Sequence, residues 1–196
     1  GAVQRGTEQS SVEAAVPGLV KFHECSTVKN SDGLQIVMSR NGELVLIDDQ
    51  KRERARHRVP YGSKLLVKNK QKMERGDKLA EWDPYTLPIL TEKEGIVHYM
   101  DLVEGISMTE RLDDATGIAS TVVVDWKQQP RGGDLKPRIT LRNKKGDVVA
   151  LSNGLEARYF LSVDAILSVD AGQTVYAGDV LVRIPRESAK TRDITG

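Results

Sequence analysis

The tightest constraint on the fold is a phrase that the chain writes twice. Residues 74–82 read ERGDKLAEW and residues 176–184 read YAGDVLVRI, which places Gly76-Asp77 and Gly178-Asp179 102 positions apart. At that offset Leu65, Val67, Gln71, Met73, Leu79 and Trp82 align with Leu167, Val169, Gln173, Val175, Leu181 and Ile184. Upstream the register changes by two residues: RNGELVLID (40–48) faces KKGDVVALS (144–152), and Val20 and Phe22 have counterparts in Val122 and Val124. Most substitutions keep apolar character. The pattern predicts duplication of a module of about 70–90 residues, in too few copies for a solenoid. Within each copy, glycine supplies positive φ and the following aspartate bonds local backbone, so Gly-Asp turns the chain tightly into a strand. Period-two geometry then sends Leu79 and Leu181 to one face.

The remainder of the chain also reads as strands. Alternating or short apolar runs such as LQIVMS, ELVLID, GIVHYM, STVVVDW, RITL, DVVAL and AILSV are separated by Gly-, Asn- or Asp-containing turns. Helical periodicity is nearly absent, so the fold class is all-β. The predicted organisation is a flexible flank at 1–16, a first module at 17–115, a second at 116–187 and a flexible flank at 188–196. A hydrophobic content of 39% and a charged content of 29% suit two ordinary globular cores. A net charge of +1 argues against polyanion binding by bulk electrostatics. The single cysteine, Cys25, excludes an internal disulfide framework and fits a reducing, cytoplasmic setting. No run approaches the ~20 apolar residues of a membrane span, so no membrane partner is expected. The chain opens on Gly rather than Met, as expected of a piece of something longer.

Catalytic signatures are lacking. His23, His57 and His98 are far apart and, with one cysteine, offer no metal-ligand spacing. Asp48-Asp49 and Asp113-Asp114 are sequence neighbours, which on a strand face opposite ways and in a turn are solvated. No P-loop, nucleophile elbow or dinucleotide fingerprint is present. The expected catalytic, cofactor-binding and metal residues are therefore none. The concentrated positive stretch is KRERARHR (51–58), where alternation puts Arg52, Arg54, Arg56 and Arg58 on one strand face. That face reads either as a charged edge that resists aggregation or as a docking surface for phosphates or an acidic protein. No aromatic residue interleaves it, which argues against base stacking. Trp82 and Trp126 sit in strand patterns; Trp82, next to Pro84 and Tyr85, is a candidate contact residue, and Tyr85 joins it in the candidate patch.

Two resemblances sharpen these readings. The segment 59–108, with GDKLAEWDPYT, resembles a barrel-sandwich hybrid of the biotinyl/lipoyl type. Such carriers need a modifiable lysine after the GDxLA motif, where this chain has Thr86, and Ser188 in the second copy. Neither forms the required amide, so a carrier domain stands only as the alternative, beside a stand-alone nucleic-acid-binding β module. The flanks GAVQRGTEQSSVEAAV and RIPRESAKTRDITG, with VPYG, TGIAS, GGDLKPR and YFLSVDAILSVDAGQTVYAGDVLVRIPRE between them, resemble the large trigger-loop insertion of Gram-negative RNA polymerase beta-prime subunits. That resemblance implies two tandem sandwich-barrel hybrid motifs, non-catalytic themselves, that modulate trigger-loop folding within a DNA-directed RNA polymerase. It implies the beta, alpha, omega and sigma subunits as partners through the parent chain, with downstream DNA or transcript-cleavage factors as further candidates. Magnesium and zinc, the expected cofactors of the parent enzyme, would be held outside this chain. An insertion inside a loop also requires residues near Ser11 and Lys190 to approach each other.

Overall fold

The structure is a computed structural model that describes residues 10–186. Among these residues every regular element is a strand, and the chain divides into two compact units, Gly1–Pro84 and Tyr85–Gly196. No helix is long and apolar enough to cross a membrane among the described residues.

The first unit holds β1 (Ser11–Glu13), β2 (Gly18–His23), β3 (Thr27–Lys29), β4 (Gln35–Val37), β5 (Glu43–Ile47), β6 (Glu53–Arg58), β7 (Lys64–Leu65), β8 (Lys72–Met73) and β9 (Lys78–Glu81). The second holds β10 (Thr86–Leu90), β11 (Gly95–Met100), β12 (Met108–Leu112), β13 (Ala119–Val123), β14 (Arg138–Arg142), β15 (Arg158–Phe160), β16 (Ile166–Leu167), β17 (Thr174–Val175) and β18 (Val180–Pro185). The first unit forms sheets ordered β1-β9-β7-β4-β3 and β6-β5-β2-β8; the second forms β10-β18-β16-β13-β12 and β15-β14-β11-β17. Adding nine to each strand number converts one pair of sheets into the other. Every pairing between named strands is antiparallel.

Each unit closes its core between its own two sheets. In the first, Val20, Leu44 and Leu46 from one sheet meet Val37, Leu65 and Leu79 from the other. In the second, Val97, Ile139 and Leu141 meet Val123, Leu167 and Leu181. Fully burying one such leucine contributes about 2–3 kcal/mol, so alternation along these short strands, rather than strand length, sustains each unit.

The twin turns are superimposable in their bonding. Gly76 has φ +90° and Gly178 has φ +89°. The Glu74 N–H donates to Asp77 Oδ2 at 2.9 Å, and the Tyr176 N–H donates to Asp179 Oδ2 at 2.9 Å. The glycine N–H groups reach back to the Ala14 and Thr91 carbonyls, both at 2.8 Å.

Several expectations need correction. The boundary lies between Pro84 and Tyr85, not near 115, because β10, β11 and β12 pair with β18, β14 and β13 downstream. Residues 11–13 of the expected flank form β1, zipped to β9. The counterpart of Val20 is Val97, since both strands lie between equivalent neighbours and the Val20 and Val97 N–H groups donate to Gln71 and Gln173 at 2.9 and 2.8 Å. By the same logic β5 corresponds to β14, not to 144–152, which makes only the isolated bridges Arg142↔Val148 and Ala150↔Glu156. The separation of equivalent residues is 77 at Gly18/Gly95, 95 at Leu44/Ile139 and 102 from β6 onward, because the connections of the second unit are longer. Trp126 falls after β13 in a turn, half-buried against the second core.

Candidate interaction surfaces

Strand β6 is an edge strand; alternation holds from Ala55 to Arg58, but Arg52 precedes the strand and a bulge sets Glu53, not Arg54, opposite Ile47. Arg54, Arg56 and Arg58 are exposed, whereas Ala55 and His57 are half-buried. The arginines are not idle. Arg52 Nε lies 3.3 Å and Arg54 Nη1 3.7 Å from Asp48 Oδ2. Arg56 bridges Glu43 on β5 and Glu53 on its own strand, each at 2.8 Å, and Arg58 Nη2 donates to Asn41 Oδ1 at 2.9 Å. The backbone N–H of Arg52, first among several donors, holds the Asp48 carboxyl below its ordinary range. The Arg56 side chain does the same for Glu53. Local acids thus compensate much of the stripe that the sequence singles out.

Trp82 follows β9, half-buried against the first core, and its N–H donates to the Ser10 carbonyl at 2.8 Å. Tyr85 belongs to the second unit; its ring is exposed and its carbonyl accepts from the Arg186 N–H at 3.0 Å. The three histidines lie on β2, β6 and β11. His57 Nε2 accepts the Ala15 N–H at 3.3 Å, and burial pushes the His57 pKa down, so the neutral ring is the one that fits. Among the described residues no group of three or more His, Cys, Asp or Glu could hold a metal ion. Asp48 and Asp113 act as turn caps: Asp48 Oδ1 accepts from Gln50 N–H and Asp113 Oδ1 from Ala115 N–H, both at 2.9 Å. Thr86 opens a strand, paired opposite Pro185, while Ser188 and Lys190 lie outside the described residues.

A feature without a sequence signal is an open cleft of about 750 Å³ in the second unit, lined by Glu94, Arg142, Lys144, Lys145, Asp147 and Tyr176 among others. Arg142 Nη1 donates to the Gly146 carbonyl at 3.0 Å, and the cleft mixes both signs of charge.

No family model matches the chain. Across all 196 residues it is 53% identical to the DNA-directed RNA polymerase subunit beta' of Rickettsia felis and 53% identical to that of Rickettsia typhi. It is 51% identical, again over its full length, to the subunit beta' of Ehrlichia ruminantium. The chain is homologous to a segment of RNA polymerase beta-prime subunits. It spans 14% of the length of these relatives. The portion that matches these relatives is thus a pair of β units, each with its own core and its own copy of the Gly-Asp turn.

Proposed function

We propose that the chain is the trigger-loop insertion of a beta-prime subunit, a folded module that modulates loop closure and performs no chemistry itself. The observation that carries this reading is full-length identity of 51–53% to one short portion of beta-prime chains. The duplicated units supply a mass that a moving loop would have to carry. On this reading the parent enzyme makes RNA from ribonucleoside triphosphates on a DNA template, and its beta, alpha, omega and sigma subunits are the module's assembly partners. On the same reading, magnesium and zinc would be held by other parts of the parent subunit.

A module tied to a loop that opens and closes biases that equilibrium through any contact it makes in only one state. A differential contact of about 1.4 kcal/mol shifts the ratio about tenfold. The arginines Arg52, Arg54, Arg56 and Arg58 and Trp82 of the first unit, and separately Tyr85 of the second, are our candidates for such contacts, toward another subunit, downstream DNA or a transcript-cleavage factor. The test is deletion of the module from the intact polymerase. Elongation, pausing and transcript cleavage should change while nucleotide addition persists. Loss of all polymerisation in a correctly assembled enzyme, or no change in any of the three rates, refutes the proposal.

A further inference from the structure

The two units share one backbone but not one surface, which makes the second a natural control for the first. Residues 1–84 carry 15 Lys and Arg against 12 Asp and Glu, while residues 85–196 carry 14 against 16. Much of the difference is written on one hairpin. Where the first unit has Lys68, Lys70, Lys72 and Arg75, the equivalent positions of the second hold Asp170, Gly172, Thr174 and Ala177. Lys21 on β2 likewise corresponds to His98 on β11. The fold therefore has no need of these charges.

Register gathers the lysines onto a single surface. Lys21 on β2 pairs with Val45, which pairs in turn with Arg56. In the adjacent row Lys72 on β8 pairs with Leu19, which pairs with Ile47, which pairs in turn with Glu53 on β6. Val20 and Met73 turn inward and are buried, so Leu19, Lys21 and Lys72 face outward, on the same side as the arginines of β6. Lys70, in the turn before β8, lies beside β2, its N–H donating to the Val20 carbonyl at 2.7 Å. Four strands at ~4.8 Å spacing make a face about 14 Å across, edged by the ion-paired Arg56 and Glu53 on β6 and by lysine on β8. Among the described residues Lys21, Lys68, Lys70, Lys72 and Arg75 make no ion pair, in contrast to the arginines.

Residue 70 adds an independent sign of selection for charge. Lys70 has φ +73°, and its counterpart Gly172 has φ +87°. A left-handed backbone is one that glycine adopts freely and a lysine adopts with strain. The first unit keeps a lysine at a position where its own twin shows that glycine serves the fold.

We propose that the outer face of the sheet β6-β5-β2-β8, centred on Lys21, Lys70 and Lys72, binds the phosphate backbone of double-stranded nucleic acid without reading its sequence. Its uncommitted charges are lysines, which act as point charges on phosphate rather than as forks for a particular carboxylate. Apart from the single ring of His23, the face presents no aromatic side chain on which single-stranded bases could stack. The uncommitted lysines lie on β2 and toward β8, on the side of the face away from the ion-paired arginines of β6, so they can follow one line of phosphates on a duplex.

The experiment measures anisotropy of a labelled, mixed-sequence 20-bp DNA duplex with the whole 196-residue chain, across a range of salt and at pH 8. The decisive variant moves the second unit's residues into the first: Lys21→His, Lys70→Gly and Lys72→Thr together. It should weaken binding at least tenfold near 100 mM salt and flatten the slope of log K against log salt by about 2–3, at ~0.9 per lost phosphate contact. Lys70→Gly alone should weaken binding while leaving the melting temperature equal or higher, which separates binding from folding. A matched triple substitution in the second unit, Lys127→Gln, Arg131→Gln and Lys136→Gln, should bind as the parent does. The proposal is overturned if the parent shows no binding near 50 mM salt, or if the twin-swapped variant keeps the parent's affinity and slope. It is equally overturned if a single strand or an acidic peptide of matched charge binds as tightly as the duplex. The chain alone is assayed, so a negative result leaves the loop-closure proposal standing, and failure of the deletion test leaves this one standing.

Discussion

Replacing Gly76 by alanine isolates the cost of a single dihedral angle. The residue has φ +90°, and a Cβ built on it would meet no heavy atom within 4 Å. Nothing is crowded, no hydrogen bond is removed and no apolar surface is uncovered, so the loss is conformational alone. An L-residue forced into the left-handed region loses roughly 1–2 kcal/mol. For a unit of this size that corresponds to a fall in melting temperature of about 4–16 °C, at roughly 4–8 °C per kcal/mol. The natural reporter is Trp82, which packs on the first core; a Trp126→Phe background makes its fluorescence specific to that unit. Urea or thermal unfolding of Gly76→Ala and Gly76→Asn should show alanine as the more damaging, because asparagine tolerates left-handed backbone better. If alanine leaves the Trp82 transition unmoved, or asparagine destabilises more than alanine, the dihedral account of the turn is wrong.

Truncating Leu79 or Leu181 to alanine, both fully buried, should destabilise the respective unit by about 2–5 kcal/mol, measured by denaturant unfolding with the tryptophan of that unit as probe. Asp77→Ala should cost about 1 kcal/mol or somewhat more by leaving the Glu74 N–H without its acceptor, and Asp77→Asn should recover part of it, as read by the same unfolding curves. His57 has a folded pKa below its ordinary value, so the unfolded chain binds more protons as pH falls through about 6.5. Stability of the first unit should therefore be full above that value and decline below it, down to the lowered folded pKa; His57→Gln should flatten this segment of a melting-temperature profile, and an unchanged profile would exclude His57 as its source.

The sequence repeat was readable where the copies kept equal spacing, from β6 to the end of each unit. It misled upstream, where the second unit's longer connections between β13, β14 and β15 displaced the counterparts. Val122 fell at the expected distance from Val20, yet the hydrogen-bonded neighbours of β2 are matched by those of β11. Pairing partners are long-range information, and alternation alone does not carry them. The site shows the same limit. A dense run such as KRERARHR is conspicuous in one dimension, but Glu43 and Asp48 approach it only after β5 folds back along β6. Lys21, Lys70 and Lys72 are dispersed among polar and apolar neighbours in the sequence, and become one surface only through the register of β2 with β8.

The outermost strands of the described chain also determine how it would behave under tension. On the insertion reading, a pull from the surrounding loop enters at β1 and leaves at β18. β1 has three residues and a single partner, β9, whereas β18 has six residues and lies between β10 and β16. The entry side should therefore yield first, paying out a few residues of slack while the second unit stays intact. A module anchored this way acts as an asymmetric spring, compliant at one end and stiff at the other, and its response to a moving hinge depends on which end is pulled.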